Sequence, residues 1–105
     1  MAEDDDTTLL IETRQNFGDT YAEVRAWDVP PSERYPDGIR YSMQYGTIDG
    51  SLIFRYDNFP DHPGAAPHHK HTSDSHVEDI EFPGVLPLFR RFKQEVNDHE
   101  NGQWK

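Results

Sequence analysis

Cysteine is absent from the 105 residues, so neither disulfides nor thiol chemistry is available. Long apolar runs are absent too: the longest, Leu9-Leu10-Ile11, falls far short of the roughly 20 residues that cross a bilayer. Lysine is scarce, with only Lys70, Lys93 and Lys105. Asp plus Glu (20) outnumber Lys plus Arg (10), for a formal charge of −10. That balance excludes nucleic-acid binding by overall electrostatic attraction at low salt. It fits the surface of a protein from a salt-loving organism, where salt screens self-repulsion; an acidic mesophilic protein is the plainer alternative. In molar salt, recognition must rest on local contacts. The N-terminus, Met1-Ala2-Glu3-Asp4-Asp5-Asp6, is anionic where a secretory leader is cationic, and a cytoplasmic protein is expected.

Hydrophobic residues are 33% of the chain, low for a globular protein, but 13 aromatics each bury a large area. One domain is expected, with a modest core that a homodimer could extend. Residues 1–7 read as an acidic mobile lead, 8–97 as the domain and 98–105 as a flexible tail.

Residues 8–17 set Leu9, Ile11 and Phe17 on one parity against Glu12 and Arg14, a strand pattern closed by a turn at Gly18-Asp19. Residues 20–29 alternate Ala22, Val24 and Ala26 against Tyr21, Glu23, Arg25, Trp27 and Val29, and Pro30-Pro31 ends that strand. Residues 39–46 carry Ile39, Tyr41, Met43 and Tyr45 opposite Arg40, Ser42 and Gln44. Residues 51–57 answer with Leu52, Phe54 and Tyr56 against Ile53, Arg55 and Asp57. A two-residue turn at Asp49-Gly50 pairs Tyr45 with Phe54, Met43 with Tyr56, Gln44 with Arg55 and Ser42 with Asp57. A slip of one residue would exchange the faces, so this register should be well specified. Residues 72–82 are acidic and expected to be irregular. In 84–97, Val85, Leu88, Phe89, Phe92 and Val96 form a helical stripe, with Pro87 tolerable in the first turn. The expected fold is α+β: a small antiparallel sheet of about four strands packed against one C-terminal helix.

The stretch from Arg55 to His71, RYDNFPDHPGAAPHHKH, stands out. It leaves a strand at Arg-Tyr-Asp-Asn, crosses a loop rich in proline and glycine, and delivers His68, His69, Lys70 and His71 in a row. Metal-free RNA cleavage needs a base for the 2′-hydroxyl proton, an acid for the leaving oxygen, and cations for the charge gathering on phosphorus. Imidazoles suit the proton transfers and Arg and Lys the charge. The expected catalytic set is Arg55, Asp57, His68, His69, Lys70 and His71. In it His69 or His71 is the base, His68 the acid, Arg55 and Lys70 the cations, and Asp57 the carboxylate that fixes a tautomer. Arg40, Gln44, Asn58 and His62 are the expected substrate contacts. The set works only if the loop 59–71 folds across the polar sheet face.

Two other readings remain. His68 and His71 have an H-x₂-H spacing to which His62 or His76 could add a metal ligand, although Lys70 between them would repel a dication. The cluster could instead be an exposed loop or a non-catalytic binding surface for nucleic acid or protein. No glycine-rich phosphate cradle is present for a nucleotide, and no cofactor is expected.

An amphipathic hairpin that includes Ile39-Arg-Tyr-Ser-Met-Gln-Tyr45, then Arg55-Tyr56-Asp57-Asn58, His62-Pro63, Pro67-His68-His69-Lys70-His71 and a C-terminal helix resembles the TumE family of small toxins. The resemblance covers about residues 8–97, and the low count of cations elsewhere departs from it. It implies a type II toxin encoded beside a helix-turn-helix antitoxin and silenced by contact with it. RNA cleavage, or another block of translation, is the implied activity. Arg90, Arg91 and Lys93 on the helix flank offer a docking patch for an acidic antitoxin segment, against the plainer reading of a solvated face.

Overall fold

Alternating apolar and polar residues call for a sheet with one covered face. The computed structural model, which describes residues 7–59 and 68–105, has such a sheet. Its strands are antiparallel and lie in chain order: β1 (Thr8–Asn16), β2 (Thr20–Asp28), β3 (Ile39–Thr47), β4 (Leu52–Asp57), β5 (His69–Thr72) and β6 (Val77–Asp79). Helix α1 (Val85–Glu100) lies on one side. None of the described helices is long and apolar enough to cross a membrane.

The covered face is built from Ala22, Val24 and Ala26 of β2, Tyr41, Met43 and Tyr45 of β3, and Phe54 and Tyr56 of β4. Cross-strand pairing sets Ala22 beside Tyr45, Val24 beside Met43 and Ala26 beside Tyr41, so small side chains on β2 leave room for the bulk of β3. Leu88, Phe92 and Val96 of α1 close this layer and are fully buried. Each core tyrosine sends its hydroxyl to a polar partner at the rim: Tyr41 to His68, Tyr45 to Glu100 and Tyr56 to Glu95.

The sheet has six strands where four were expected, because residues 72–82 are not irregular throughout. His69–Thr72 and Val77–Asp79 form a second hairpin, β5–β6. Its turn repeats the chemistry of the β3–β4 turn. In Thr47-Ile48-Asp49-Gly50-Ser51, the Thr47 N–H donates to Ser51 O (2.8 Å), the Gly50 N–H to Thr47 O (3.0 Å), and Thr47 Oγ1 to Asp49 Oδ1 (2.5 Å). In Thr72-Ser73-Asp74-Ser75-His76, the same three bonds measure 2.9, 3.1 and 2.5 Å. Gly50 has φ +104° and Ser75 takes the equivalent left-handed position at φ 68°.

The β3–β4 turn therefore holds three residues, Ile48 to Gly50, rather than two. A one-residue bulge between Leu52 and Phe54 offsets the extra residue, and the expected pairs from Tyr45–Phe54 to Ser42–Asp57 all form. At Gly46 a Cβ would meet Ser51 O at 2.8 Å, so the bulge requires glycine there. A second irregularity, between Leu9 and Ile11, separates residues expected on one parity. Ile11 pairs with core-facing Ala26, while Leu9 pairs with Trp27 on the open face.

Helix α1 ends at Glu100, three residues beyond the expected limit, with Asn101 in the left-handed conformation (φ 58°). The last residues, expected to be a flexible tail, turn back on the helix. The Trp104 ring packs edge-on against Phe17, Phe89 and Phe92, and the Asn97 side chain bonds its backbone N–H and C=O, both at 2.9 Å.

Candidate active site

Arg55 and Asp57 occupy alternate positions of β4 and project from the open face. β5 extends the sheet on the far side of β4, with Arg55 opposite His71, Tyr56 opposite Lys70 and Asp57 opposite His69. Directly opposed residues of an antiparallel pair share a face. The imidazoles of His69 and His71 thus reach the guanidinium and the carboxylate by adding a strand to the sheet edge; residues 60–67 of the expected loop lie outside the described residues.

Asp57 is the centre of this group. Its side chain is only 2% exposed. Arg55 Nε donates to Asp57 Oδ2 at 2.7 Å, while His69 Nδ1 and His71 Nε2 each lie 3.5 Å from Asp57 Oδ1. The two imidazoles meet edge to face with centroids 5.8 Å apart. His69 is enclosed, whereas His71 and Arg55 line an open pocket of about 730 Å³ together with Ser51, Ser75 and His76. The donor atoms of Asp57, His69 and His71 lie within 4.8 Å of one another, close enough to hold a metal ion. His71 beside Asp57, the Arg55 guanidinium and the exposed His76 imidazole line one hollow.

Other expected site residues lie elsewhere. Lys70 has the opposite parity to His69 and His71 and points to the helix side, where its Nζ donates to Glu95 Oε2 at 2.5 Å above the Phe54 ring. His68 is also separate. Its ring stacks on Phe82 (4.5 Å, 4°) and is bonded by Tyr41 Oη at Nδ1 and Asp37 Oδ2 at Nε2, both at 2.9 Å. Burial first, and then the charges of Asp57 and Asp37, raise the Tyr41 phenol above its ordinary value. A phenol that keeps its proton donates to Nδ1, which leaves Nε2–H to donate to Asp37. His68 is thereby occupied on both nitrogens and lies apart from His69 and His71, the imidazoles between which a base is expected. An H-x₂-H spacing puts its two rings on opposite faces when the segment is a strand, so His68 and His71 do not form a common ligand pair.

Asn58, expected to touch substrate, is buried and structural: its Oδ1 accepts from the Tyr41 N–H (3.0 Å) and its Nδ2 donates to Ile39 O (2.6 Å). Gln44 lies beside Arg55 on the open face and donates to Tyr21 Oη. Arg40 lies on the same face over the Trp27 ring, 4.4 Å from its centroid, with the Phe59 ring at 5.9 Å. His62 falls outside the described residues.

Sequence reasoning missed two features. His76 was weighed only as a metal ligand, yet the β5–β6 turn brings it to the pocket of Arg55 and His71. Trp27 and Phe59 both line a smaller pocket of about 180 Å³ on the open face, with Glu23, Arg25, Ser42 and Gln44. The parity of Trp27 with Glu23 and Arg25 marked the first of these; nothing in the pattern marked Phe59.

No curated protein and no solved structure gives a significant match to this chain. The motifs from Arg55 to His71 and the strand-then-helix order lie within a family match that runs almost end to end: the model described as Toxin TumE covers residues 2–100, and the chain belongs to the TumE toxin family.

Proposed function

We propose that this toxin is an endoribonuclease that cleaves RNA without a metal and so blocks translation. The observation that carries the reading is the β4–β5 register, which gathers Asp57, His69, His71 and Arg55 and leaves Arg55 and His71 lining one pocket. His71 takes the proton of a ribose 2′-hydroxyl. The alkoxide attacks the adjacent phosphorus, a 2′,3′-cyclic phosphate forms, and the bond to the 5′-oxygen breaks. The leaving oxygen takes its proton from the His76 imidazolium. Arg55 offsets the charge on phosphorus, and Asp57 stabilises the imidazolium that His71 becomes. His69 is a positioning residue, enclosed against both. A cytoplasmic setting, a salt-rich host and a helix-turn-helix antitoxin that silences the toxin belong to the same proposal.

The test is growth arrest in a salt-tolerant host with and without the neighbouring gene product. His71→Ala and His76→Ala should each relieve the arrest while circular dichroism shows the fold intact. Arrest that survives His71→Ala would overturn the reading.

A second reading is favoured by the proximity of the Asp57, His69 and His71 donor atoms: a bound divalent transition metal ion. Lys70, which the sequence placed between ligands, lies across the sheet and does not oppose it. Arg55, bonded to Asp57 at 2.7 Å, does. Stoichiometric metal in purified wild-type protein, lost in His69→Ala, would favour this reading over the first.

A further inference from the structure

The strand arginines Arg14, Arg25, Arg40 and Arg55 all project from the open face of a chain whose net charge is −10. Three are already matched. Arg14 lies 3.7 Å from Glu23, Arg25 pairs with Glu12 (3.4 Å) and Glu23 (3.3 Å), and Arg55 pairs with Asp57. Arg40 differs. Among the described residues it makes no ion pair, its Nε is buried without a hydrogen-bond partner, and its guanidinium lies over Trp27 with Phe59 nearby. Trp27 also lines two hollows: the 180 Å³ pocket shared with Phe59, and another of about 660 Å³ shared with Arg34, Tyr35 and Arg40.

We propose that Trp27, Phe59 and Arg40 form a subsite for an unpaired nucleobase of single-stranded RNA, with Arg40 taking the neighbouring phosphate. This deepens the ribonuclease reading and rests on it for the location of the scissile bond. A hollow of 180 Å³ is smaller than the roughly 300–1,000 Å³ of a drug-sized site and suits one planar ring, with Trp27 and Phe59 both in its lining. Aromatic rings on a sheet surface stack bases whatever their sequence. A duplex keeps its bases inside and cannot use such a platform. The Trp27–Arg40 rung lies four residues along the strands from the Arg55–His71 rung, about 13 Å at 3.3 Å per residue. Arg25 and Ser42 lie between, on the rung of Asp57. That separation is the reach of a nucleotide near the scissile phosphate. With Arg40 the one strand arginine unmatched among the described residues, stacking rather than phosphate charge must carry affinity. Binding should therefore change little with salt, log K against log[salt] sloping about −0.7 for one contact.

The experiment uses the full chain with Trp104→Phe, so that Trp27 is the sole tryptophan, titrated with a short uncleavable 2′-O-methyl oligonucleotide. Expected are quenching of Trp27 fluorescence by the single strand, none by the matching duplex, and a shallow salt slope. In parallel, Trp27→Ala and the milder Arg40→Gln, followed by anisotropy of a labelled oligonucleotide, should each weaken affinity, the first about tenfold. Equal binding of the duplex, or full affinity in both Trp27→Ala and Arg40→Gln, would overturn the subsite. So would quenching by the antitoxin but not by the oligonucleotide, which would make this face a protein interface. Binding through Trp27 without cleavage by the wild type would sink the ribonuclease reading alone, whereas cleavage with KM unchanged in Trp27→Ala would sink the subsite alone.

Discussion

Lys70 and His71 are neighbours in the chain and lie on opposite sides of the sheet, Lys70 bonded to Glu95 of the helix and His71 beside Asp57 on the open face. Four basic residues in a row, His68 to His71, thus divide into two pairs with different work. His68 and Lys70 tie the new strand edge to the core, while His69 and His71 flank Asp57 and His71 reaches the pocket.

Substitutions at the two neighbours should separate stability from toxicity. Lys70→Ala removes a charge-assisted bond from a pair that is 17% and 27% exposed, and should cost about 1–3 kcal/mol. For a domain near 100 residues, that lowers Tm by roughly 4–8 °C per kcal/mol. Below its Tm the variant should still arrest growth. His71→Ala should leave Tm nearly unchanged and reduce cleavage about 10²–10⁴-fold. Thermal melts beside growth curves check both. An inactive Lys70→Ala of normal Tm would place the ammonium in the chemistry after all.

This division is within reach of the residues but is hidden when 59–71 is read as a loop. Period-2 alternation over His69-Lys70-His71-Thr72 separates the lysine from the imidazoles at once, but four polar residues carry no apolar signal of a strand. The turn Thr72-Ser-Asp-Ser-His76 copies the turn Thr47-Ile-Asp-Gly-Ser51, with serine where glycine made the first one recognisable. By contrast, β2, β3 and β4 were legible because each buries one parity under α1, and that fixed Gln44 beside Arg55 and Ser42 beside Asp57. Asn58 was illegible for another reason: its amide serves backbone groups of β3 that only the folded chain brings near. Trp104 has no periodicity to announce it.

The tyrosines set an alkaline limit on stability. Burial, with a smaller contribution from the bond to Glu100, pushes Tyr45 up to about 12, and burial first and Glu95 second raise Tyr56 as well. Tyr41 is raised by burial and by Asp57 and Asp37. An unfolded tyrosine titrates near pH 10, so the folded chain holds these protons more tightly than the unfolded one. Their contribution is complete below a pH of about 10 and declines as pH rises towards the folded values. Denaturation midpoints should fall steadily above a pH of about 10, and Tyr45→Phe should flatten the decline. Full phenolate absorbance near pH 10 with near-ultraviolet circular dichroism intact would contradict this account.

Docking of the C-terminal segment should be worth a large part of the total stability. Trp104 is 8% exposed against three aromatic rings, and Trp104→Ala should cost about 3–5 kcal/mol. Asn97→Ala, which releases the Trp104 backbone, should produce a smaller loss in the same direction. Urea midpoints measure both. Midpoints equal to wild type would mean that the segment does not hold the helix.

The chemistry of the pocket is tested most directly by the ends of the RNA fragments it makes. Purified wild-type toxin, kept in excess chelator and given single-stranded RNA, should leave 2′,3′-cyclic phosphate and 5′-hydroxyl termini, while the folded His71→Ala protein leaves the RNA intact. Intact RNA with the wild type, or 3′-hydroxyl and 5′-phosphate ends that appear only when a divalent metal is restored, would contradict it.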